Sequence, residues 1–163
     1  MKKFWIQVIL LSLLIFAGFY SYHNPDFILS FIPNNSSLSK TQIKVGSAIL
    51  NVEIANSASE RAKGLSGRDS IASDSGMLFI FDSSKRYQFW MKGMKIPIDM
   101  IFINNGKIVD LLKIVPPPLA NQKDSDLPRY QPISDIDMVL EVQNGYIDKN
   151  SLVVGDNVYL IKQ

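Results

Sequence analysis

Residues 76–103 read GMLFIFDSSKRYQFWMKGMKIPIDMIFI, and this stretch is the most informative part of the chain. It holds three apolar runs separated by short polar segments, and a single carboxylate, Asp99, stands inside the last run. An unpaired charge in such surroundings is very costly, so it needs a partner. We therefore expect a cation to hold Asp99. The alternative is that backbone amides donate hydrogen bonds to its carboxylate where the strand is irregular.

The chain from residue 41 onward is rich in β signals. Apolar residues alternate on both sides of Gly46, and Asn104-Asn105-Gly106 favours a tight hairpin because Asn and Gly tolerate positive φ. Ser57 and Glu60 have the spacing of a capping box at the start of a short helix, which Gly64 can end. The predicted strands cover residues 43–45, 50–54, 77–81, 87–91, 98–103, 107–115, 138–142 and 157–161. Together these elements predict a mainly β fold, a small antiparallel barrel or sandwich of seven to eight strands with one short helix.

The N-terminus has a different composition and predicts a membrane helix. Lys2 and Lys3 precede an uncharged apolar run at residues 4–20, near the length of about 20 residues that such a helix needs. The positive flank predicts that the N-terminus stays in the cytoplasm and that the rest is exported. An uncleaved anchor is favoured over a cleaved signal peptide, because Ile15 and Phe16 spoil the small-residue cleavage pattern. The predicted organisation is an anchor or signal segment at 1–22, a linker at 23–40 and a β-rich domain at 41–163.

Composition excludes several classes of site. The chain has no cysteine, so disulfides, thiolate nucleophiles and Cys-ligated zinc are excluded, and its only histidine, His23, lies outside the predicted domain. Residues 1–40 hold three lysines and one acid, whereas residues 41–163 hold 14 basic and 14 acidic residues. A neutral domain without a basic run is not expected to bind nucleic acid. The sequence predicts no cofactor and no metal.

Several motifs in the predicted domain carry a family likeness. In chain order they are Glu60-Arg61, Gly64-Leu65, Arg68, GMLFIF at 76–81, FWMK at 89–92, IPID at 96–99, Leu140-Glu141, Gly145 and Gly155-Asp156. In order and spacing they resemble the family called domain of unknown function 192 over about residues 43–161. The resemblance implies a small β-rich domain, often exported, and leaves the activity open.

The chain departs from the pattern of that family at two places. Members usually have Met where Ser66 stands, and Asn-Thr where Gly93-Met94 stand. If the Asn-Thr pair contacts a ligand in the family, this chain has lost that contact.

The candidate ligand-binding residues are those that could bring charge and an aromatic surface to one place. They are Arg61, Arg68, Trp90, Lys92, Asp99 and Glu141. Trp90 and Lys92 would share one face of a strand and could stack on and clamp a ligand, although Trp90 could also be core and Lys92 could pair with Asp99. Arg61 and Arg68 could bind an anion, or could be solvated surface charges. Glu141 could form a carboxylate pair with Asp99 for acid–base chemistry.

Three functions are compatible with these features. The first is a non-enzymatic, membrane-tethered extracytoplasmic domain that binds a small ligand or an envelope protein, because no standard catalytic constellation is present. It would be a single-pass protein of the cell membrane, or secreted if the N-terminal segment is cleaved. The second is a carboxylate-dependent hydrolase or lyase of cell-envelope polysaccharide, which requires Asp99 and Glu141 to face one cleft. The third is a structural component of an envelope assembly.

Overall fold

The computed structural model describes residues 38–161, so the predicted anchor at 1–22 and most of the linker at 23–40 lie outside the described residues. The elements in chain order are β1 (Lys40–Val45), β2 (Ala48–Ala55), α1 (Ala58–Lys63), β3 (Ser75–Lys85), β4 (Ile98–Asn104), β5 (Lys107–Val115), a 3-10 turn (Asp124–Asp126), β6 (Ile136–Gln143), α2 (Tyr146–Lys149) and β7 (Val158–Ile161). Within this part of the chain, neither helix has the length and apolar composition needed to cross a membrane. The seven strands confirm the mainly β prediction for the domain.

All seven strands belong to one sheet in the order β5-β4-β6-β3-β2-β1-β7. The prediction that the sheet is antiparallel throughout is wrong at one pair, because β2 and β3 run parallel, with Asn51 opposite Ser75 and Ala55 opposite Phe79. Parallel neighbours need a crossover connection. The segment that contains α1 provides it, and the candidate site is built from this crossover.

The sheet curls until its two edge strands meet at one end. The amide of Ile108 in β5 donates to the carbonyl of Asp156 at 2.9 Å, and the amide of Val158 in β7 donates to the carbonyl of Gly106 at 2.8 Å. A third bond joins the amide of Gly155 to the carbonyl of Ile108 at 2.8 Å. These three bonds form a seam between β5 and β7, and the sheet is a half-barrel.

The two faces of the sheet bury different clusters. All seven strands contribute to the first cluster, so we call its side of the sheet the inner face; Ile43, Leu78, Ile101, Leu140 and Val158 belong to it. The opposite outer face carries the second cluster, which combines strand residues with residues of the covering segments. Its members include Met77, Phe79 and Met100 from strands, and Leu65, Phe89 and Met91 from the cover.

The strands approach each other very closely where β3 meets β6. A Cβ atom on Gly76 would lie 2.7 Å from the carbonyl oxygen of Glu141 and 3.0 Å from a methyl carbon of Val142. No side chain fits there, so glycine is required at the start of the GMLFIF motif.

Two predicted features of secondary structure differ from the structure. Residues 87–91 do not form a strand, because their only ladder contact is a single bridge between Phe89 and Tyr130. β3 runs on to Lys85, beyond the predicted end at residue 81, with a register irregularity between Ile80 and Lys85. The second short helix, α2, has only four residues and was not predicted.

Candidate functional site

A pocket of about 230 Å³ opens on the outer face, between α1 with its following loop and residues 87–94. Its interior is formed by buried side chains, which include Leu65, Phe79, Phe89, Met91 and Glu141. Its mouth is formed by more exposed residues, among them Arg61, Lys63, Trp90 and Lys92. Four of the six predicted site residues therefore meet at this pocket: Arg61, Trp90, Lys92 and Glu141.

The capping box predicted from the sequence positions α1 beside the pocket. The Ser57 side chain accepts a hydrogen bond from the Glu60 amide at 3.2 Å, and the Glu60 carboxylate accepts one from the Ser57 amide at 2.9 Å. Hydrogen bonds from the Ser57 amide and side chain and from the Asn56 amide hold the pKa of the Glu60 carboxyl below its usual value. Gly64 then ends the helix at φ +48°, in the left-handed region that favours glycine.

Arg61 is the helix residue tied most closely to the sheet. Its guanidinium donates to the carbonyl oxygens of Asn56 and Ile80, the second at 2.9 Å, and lies 5.3 Å from the centre of the Phe81 ring. The ring of Tyr87 also stacks on Phe81, with centroids 3.8 Å apart. Arg61 thus fixes the mouth of the pocket to β3 and brings a positive charge there.

Trp90 lies at the mouth and is not a core residue, because 39% of it is exposed. The guanidinium of Arg129, from the long loop between β5 and β6, lies 3.9 Å from the centre of its ring, and the Lys92 ammonium lies 5.4 Å from it. The idea that Lys92 pairs with Asp99 is wrong, since the Lys92 ammonium contacts the Asp124 carboxylate at 2.7 Å. The long loop is therefore attached to the pocket through side chains of Trp90 and Lys92.

Glu141 is the carboxylate of this pocket. It lies on β6 directly between Met77 of β3 and Met100 of β4, and both methionines are fully buried. Glu141 itself is only 7% exposed, and no side chain or amide of residues 38–161 donates a hydrogen bond or forms an ion pair with its carboxyl. Burial raises its pKa to about 8, since removal from water disfavours the charged form.

The prediction that a cation holds Asp99 is wrong, and the alternative of amide donors is confirmed. The fully buried carboxylate accepts hydrogen bonds from the amide of Ile114 at 2.9 Å and from the amide of Ile147 at 3.0 Å. The Ile114 amide can donate to Asp99 because β5 bulges opposite this residue, with Ile114 at φ +55°. Asp99 therefore joins β4, β5 and α2 on the inner face.

We expected all the candidate residues to meet at one pocket, and this prediction is wrong for Asp99 and Arg68. Asp99 alternates with Met100, so it faces away from the pocket that Glu141 lines. Arg68 does not line the pocket either. Its guanidinium makes two hydrogen bonds to Glu53, at 3.0 and 2.6 Å, and these bonds lower the pKa of the Glu53 carboxyl.

Sequence reasoning missed Arg129 and Asp124, which contact Trp90 and Lys92 from a loop more than 30 residues away. No local signal marks them, because loop charges of this kind are usually solvated. It also missed that the two departures from the family pattern are neighbours. A Cβ on Gly93 would lie 2.1 Å from the Ser66 hydroxyl, and the Gly67 amide donates to the Gly93 carbonyl at 2.9 Å. Ser66 and Gly93 therefore lie side by side at the edge of the pocket, which Ser66 and Met94 line.

Comparison with known proteins gives a family and a fold. The model of the family described as "Uncharacterized ACR", domain of unknown function 192, matches residues 40–160. The chain belongs to this family. The match covers the half-barrel from the start of β1 into β7, and both the pocket and the buried Asp99 lie within it.

Two solved structures share the fold of this DUF192 domain. One is a Sinorhizobium meliloti protein provisionally described as a transcription regulator, at 27% identity and a TM-score of 0.70, with 78% of this chain and 98% of that one covered. The other is a Novosphingobium aromaticivorans protein of unknown function, at 24% identity and a TM-score of 0.68, with 77% and 89% covered. No curated protein matches the chain.

Proposed function

We propose that this protein is a membrane-tethered, extracytoplasmic domain that binds a small ligand in the pocket over Glu141. The observation that supports the proposal is the state of that carboxyl group. It is buried among apolar side chains, it lines a cavity, and it has no partner among residues 38–161. Its oxygens are therefore left by residues 38–161 for a molecule that enters the cavity, and a carboxyl with a perturbed pKa beside a cavity is typical of a binding site.

Stability alone does not account for a glutamate at this position. A leucine or methionine would fill the same space between Met77 and Met100 without desolvating a carboxyl. Residues that lower stability are typical of binding and catalytic sites, where function requires them. The aromatic and thioether walls are also typical of pockets for small molecules.

The two-carboxylate hydrolase is a weaker candidate than the binding module. That mechanism needs both carboxyl groups to flank one substrate bond, within about 10 Å of each other. Asp99 and Glu141 face opposite sides of the sheet, and both oxygens of Asp99 are occupied by amides. A mechanism that uses this pair therefore has only one of its two groups at the pocket.

The N-terminal composition supports the tether and the extracytoplasmic location. Lys2 and Lys3 before the apolar run at 4–20 are typical of a segment that inserts with its N-terminus inside. The description of the Sinorhizobium protein does not extend to this chain on physical grounds. Residues 41–163 carry 14 basic and 14 acidic residues, and a DNA-binding domain needs a basic surface.

The ligand-binding part can be tested by fluorescence, because the chain has only two tryptophans, Trp5 and Trp90. In a Trp5→Phe background of the full chain in detergent, emission comes from Trp90 at the pocket mouth. We expect members of a library of small polar and aromatic compounds to change this emission saturably. The variant Ala62→Phe places a phenyl group on the pocket lining and should abolish the change.

Ala58→Phe is the matched control for that test, since Ala58 lies on the same helix but does not line the pocket. It should leave the saturable change intact. The binding proposal is wrong if no compound gives a saturable change, or if Ala62→Phe leaves the change as it was.

The tether can be tested by fractionation of cells that express the full chain. We expect the protein in the membrane fraction, resistant to carbonate extraction, with the domain digested by protease added outside intact spheroplasts. Its mass should include residues 1–22. A soluble product that lacks these residues contradicts the tether, and a domain protected from external protease contradicts the extracytoplasmic location.

A further inference from the structure

We infer that the pocket binds a small zwitterion, with its cationic nitrogen against the carboxyl of Glu141 and its anionic group at the mouth beside Arg61, Lys63 and Lys92. This inference rests on the proposed function and adds the charge and polarity of the ligand. It is carried by the separation of opposite charges inside one cavity.

The interior end of the pocket has a carboxyl group and no cation. The strands on both sides of Glu141 bring no charge to it: Met77 of β3 and Met100 of β4 lie directly opposite it, and β3 lines the pocket with Phe79 and Phe81. The charged or titratable lining groups come from α1, which contributes Arg61 and Lys63, and from the cover, which contributes Tyr87 and Lys92. None of them bonds to Glu141. A ligand nitrogen is therefore the missing partner at this end.

Two of the mouth cations are held away from Glu141 by other groups. The Lys92 ammonium contacts Asp124 at 2.7 Å, and the Arg61 guanidinium donates to the carbonyls of Asn56 and Ile80. The Lys92 charge is balanced by Asp124, so the excess positive charge at the mouth comes from Arg61 and from Lys63 on the last turn of α1, which form no ion pair within residues 38–161. A ligand with a cation alone would meet repulsion as it enters, and a ligand with an anion alone would leave Glu141 unpaired. A zwitterion satisfies both ends.

The size and walls of the cavity also suit such a ligand. A volume of about 230 Å³ holds roughly eight groups the size of a water molecule, at about 30 Å³ each. This is the size of a single amino acid or a similar amino carboxylate. The aromatic rings of Phe79 and Phe89 inside the pocket can contact an organic cation favourably through their π faces.

The inference is tested with a series of amino acids from glycine to 6-aminohexanoate, each with its matching amine, carboxylate and hydroxy acid. Binding is followed by Trp90 emission of the full chain in the Trp5→Phe background. We expect the best amino acid to bind at least tenfold more tightly than its amine, carboxylate or hydroxy acid. Glu141→Gln should remove that preference for the amino group.

The outcomes separate the inference from the proposed function. If a hydroxy acid, carboxylate or amine binds as tightly as the amino acid, the pocket binds ligands but the charge assignment is wrong. If no member of the series binds, the assignment is also wrong, and the broader compound library decides the proposed function on its own.

A proton balance gives a second readout. Glu141 is neutral near pH 7, because its pKa is raised to about 8, so an ammonium ligand must displace its proton. Calorimetry in two buffers of different ionisation enthalpy should show release of about one proton with the amino acid and none with the hydroxy acid. Affinity for the amino acid should rise by up to about tenfold per unit between pH 6 and 8. Flat affinity with no proton release, together with an unchanged preference for the amino group in Glu141→Gln, would overturn the inference.

The anionic end is tested at the mouth. Lys63→Gln should weaken binding of the amino acid several-fold and leave that of the amine unchanged or slightly tighter. Lys44→Gln is the matched control, since Lys44 is an exposed lysine of β1 outside the pocket lining. Equal effects of the two variants on the amino acid would contradict a specific anionic end.

Discussion

Two buried carboxyl groups lie on adjacent strands of this domain under opposite conditions. Asp99 on β4 pairs with Val142 of β6, and Glu141 on β6 pairs with Met100 of β4, so the two residues are one step apart in the ladder. Alternation along the strands sends Asp99 to the inner face and Glu141 to the outer face. Asp99 accepts two amide hydrogen bonds there, whereas Glu141 meets two methionines and a cavity.

The presence or absence of hydrogen-bond donors distinguishes a structural carboxyl group from a functional one more clearly than burial does. Both groups are removed from water, but only Asp99 has donors that replace its hydration. A carboxyl group with such donors strengthens the fold, because removing it leaves amides unpaired. A carboxyl group without them lowers stability, and its presence points to a role in binding.

The largest expected effect is a pH dependence of stability due to Glu141. The pKa of its carboxyl is 4.5 in the unfolded chain and about 8 in the folded protein. Between these values the folded state keeps a proton that the unfolded state has lost, so the free energy of unfolding falls as pH rises, by about 1.4 kcal/mol per unit. The accumulated loss from pH 5 to 8 is on the order of 4 kcal/mol.

This effect is measured by urea denaturation of wild type and Glu141→Gln at pH 5, 6, 7 and 8. The variant cannot titrate at this position, so its stability relative to wild type should increase steadily over the range. Parallel curves for the two proteins would show that Glu141 is not held neutral, and the contrast between the two faces would disappear.

The next largest effect is expected at Asp99. Asp99→Asn keeps the shape but places an amide group where one of two backbone donors needs an acceptor. We expect a loss of about 2–3 kcal/mol in the free energy of unfolding and no change in ligand binding at the opposite face. Denaturation and the Trp90 titration measure the two quantities. An Asp99→Asn protein that folds stably but does not bind would connect the two faces and contradict their separation.

The smallest effect concerns the cover of the outer face. Gly93 has φ +69°, and a Cβ there would meet the Ser66 hydroxyl at 2.1 Å. Because the hydroxyl can rotate away, we expect Gly93→Ala to cost about 1–2 kcal/mol, mostly from the left-handed backbone. Thermal denaturation of Gly93→Ala alone and with Ser66→Gly separates the two parts. Full recovery in the double variant would mean that the contact, and not the backbone, sets the cost.

The sequence predicted best those features that depend on near neighbours. The capping box of Ser57 and Glu60 and the hairpin at Asn104-Asn105-Gly106 each require only a few consecutive residues, and both are confirmed. Residues 87–91 show why the pattern of apolar residues alone can mislead. Phe89 and Met91 are buried and Trp90 and Lys92 are exposed, so the alternation is real, but the segment covers the sheet and does not pair with it.

The candidate site was less predictable because it depends on residues that are distant in sequence and on which face of the sheet each strand residue occupies. Nothing near Asp99 in sequence indicates that its donors are Ile114 and Ile147, the latter 48 residues away. Which face Glu141 occupies follows only from the register of β6 against β4. Arg61, Trp90 and Lys92 at the pocket mouth were predicted because a charged or aromatic residue in such a segment is recognisable from the sequence itself.

The seam between β5 and β7 sets a condition on how this domain acquires its structure. β7 pairs with β1, so residues 42–45 lie beside residues 158–161, and its first residues bond to the start of β5. Contacts between such distant segments form late and slowly, because a long loop must close before they stabilise anything. The half-barrel therefore stays open until the final strand has left the ribosome and reached its place, and a chain cut short before Val158 would leave the edge of β1 free to pair with another molecule.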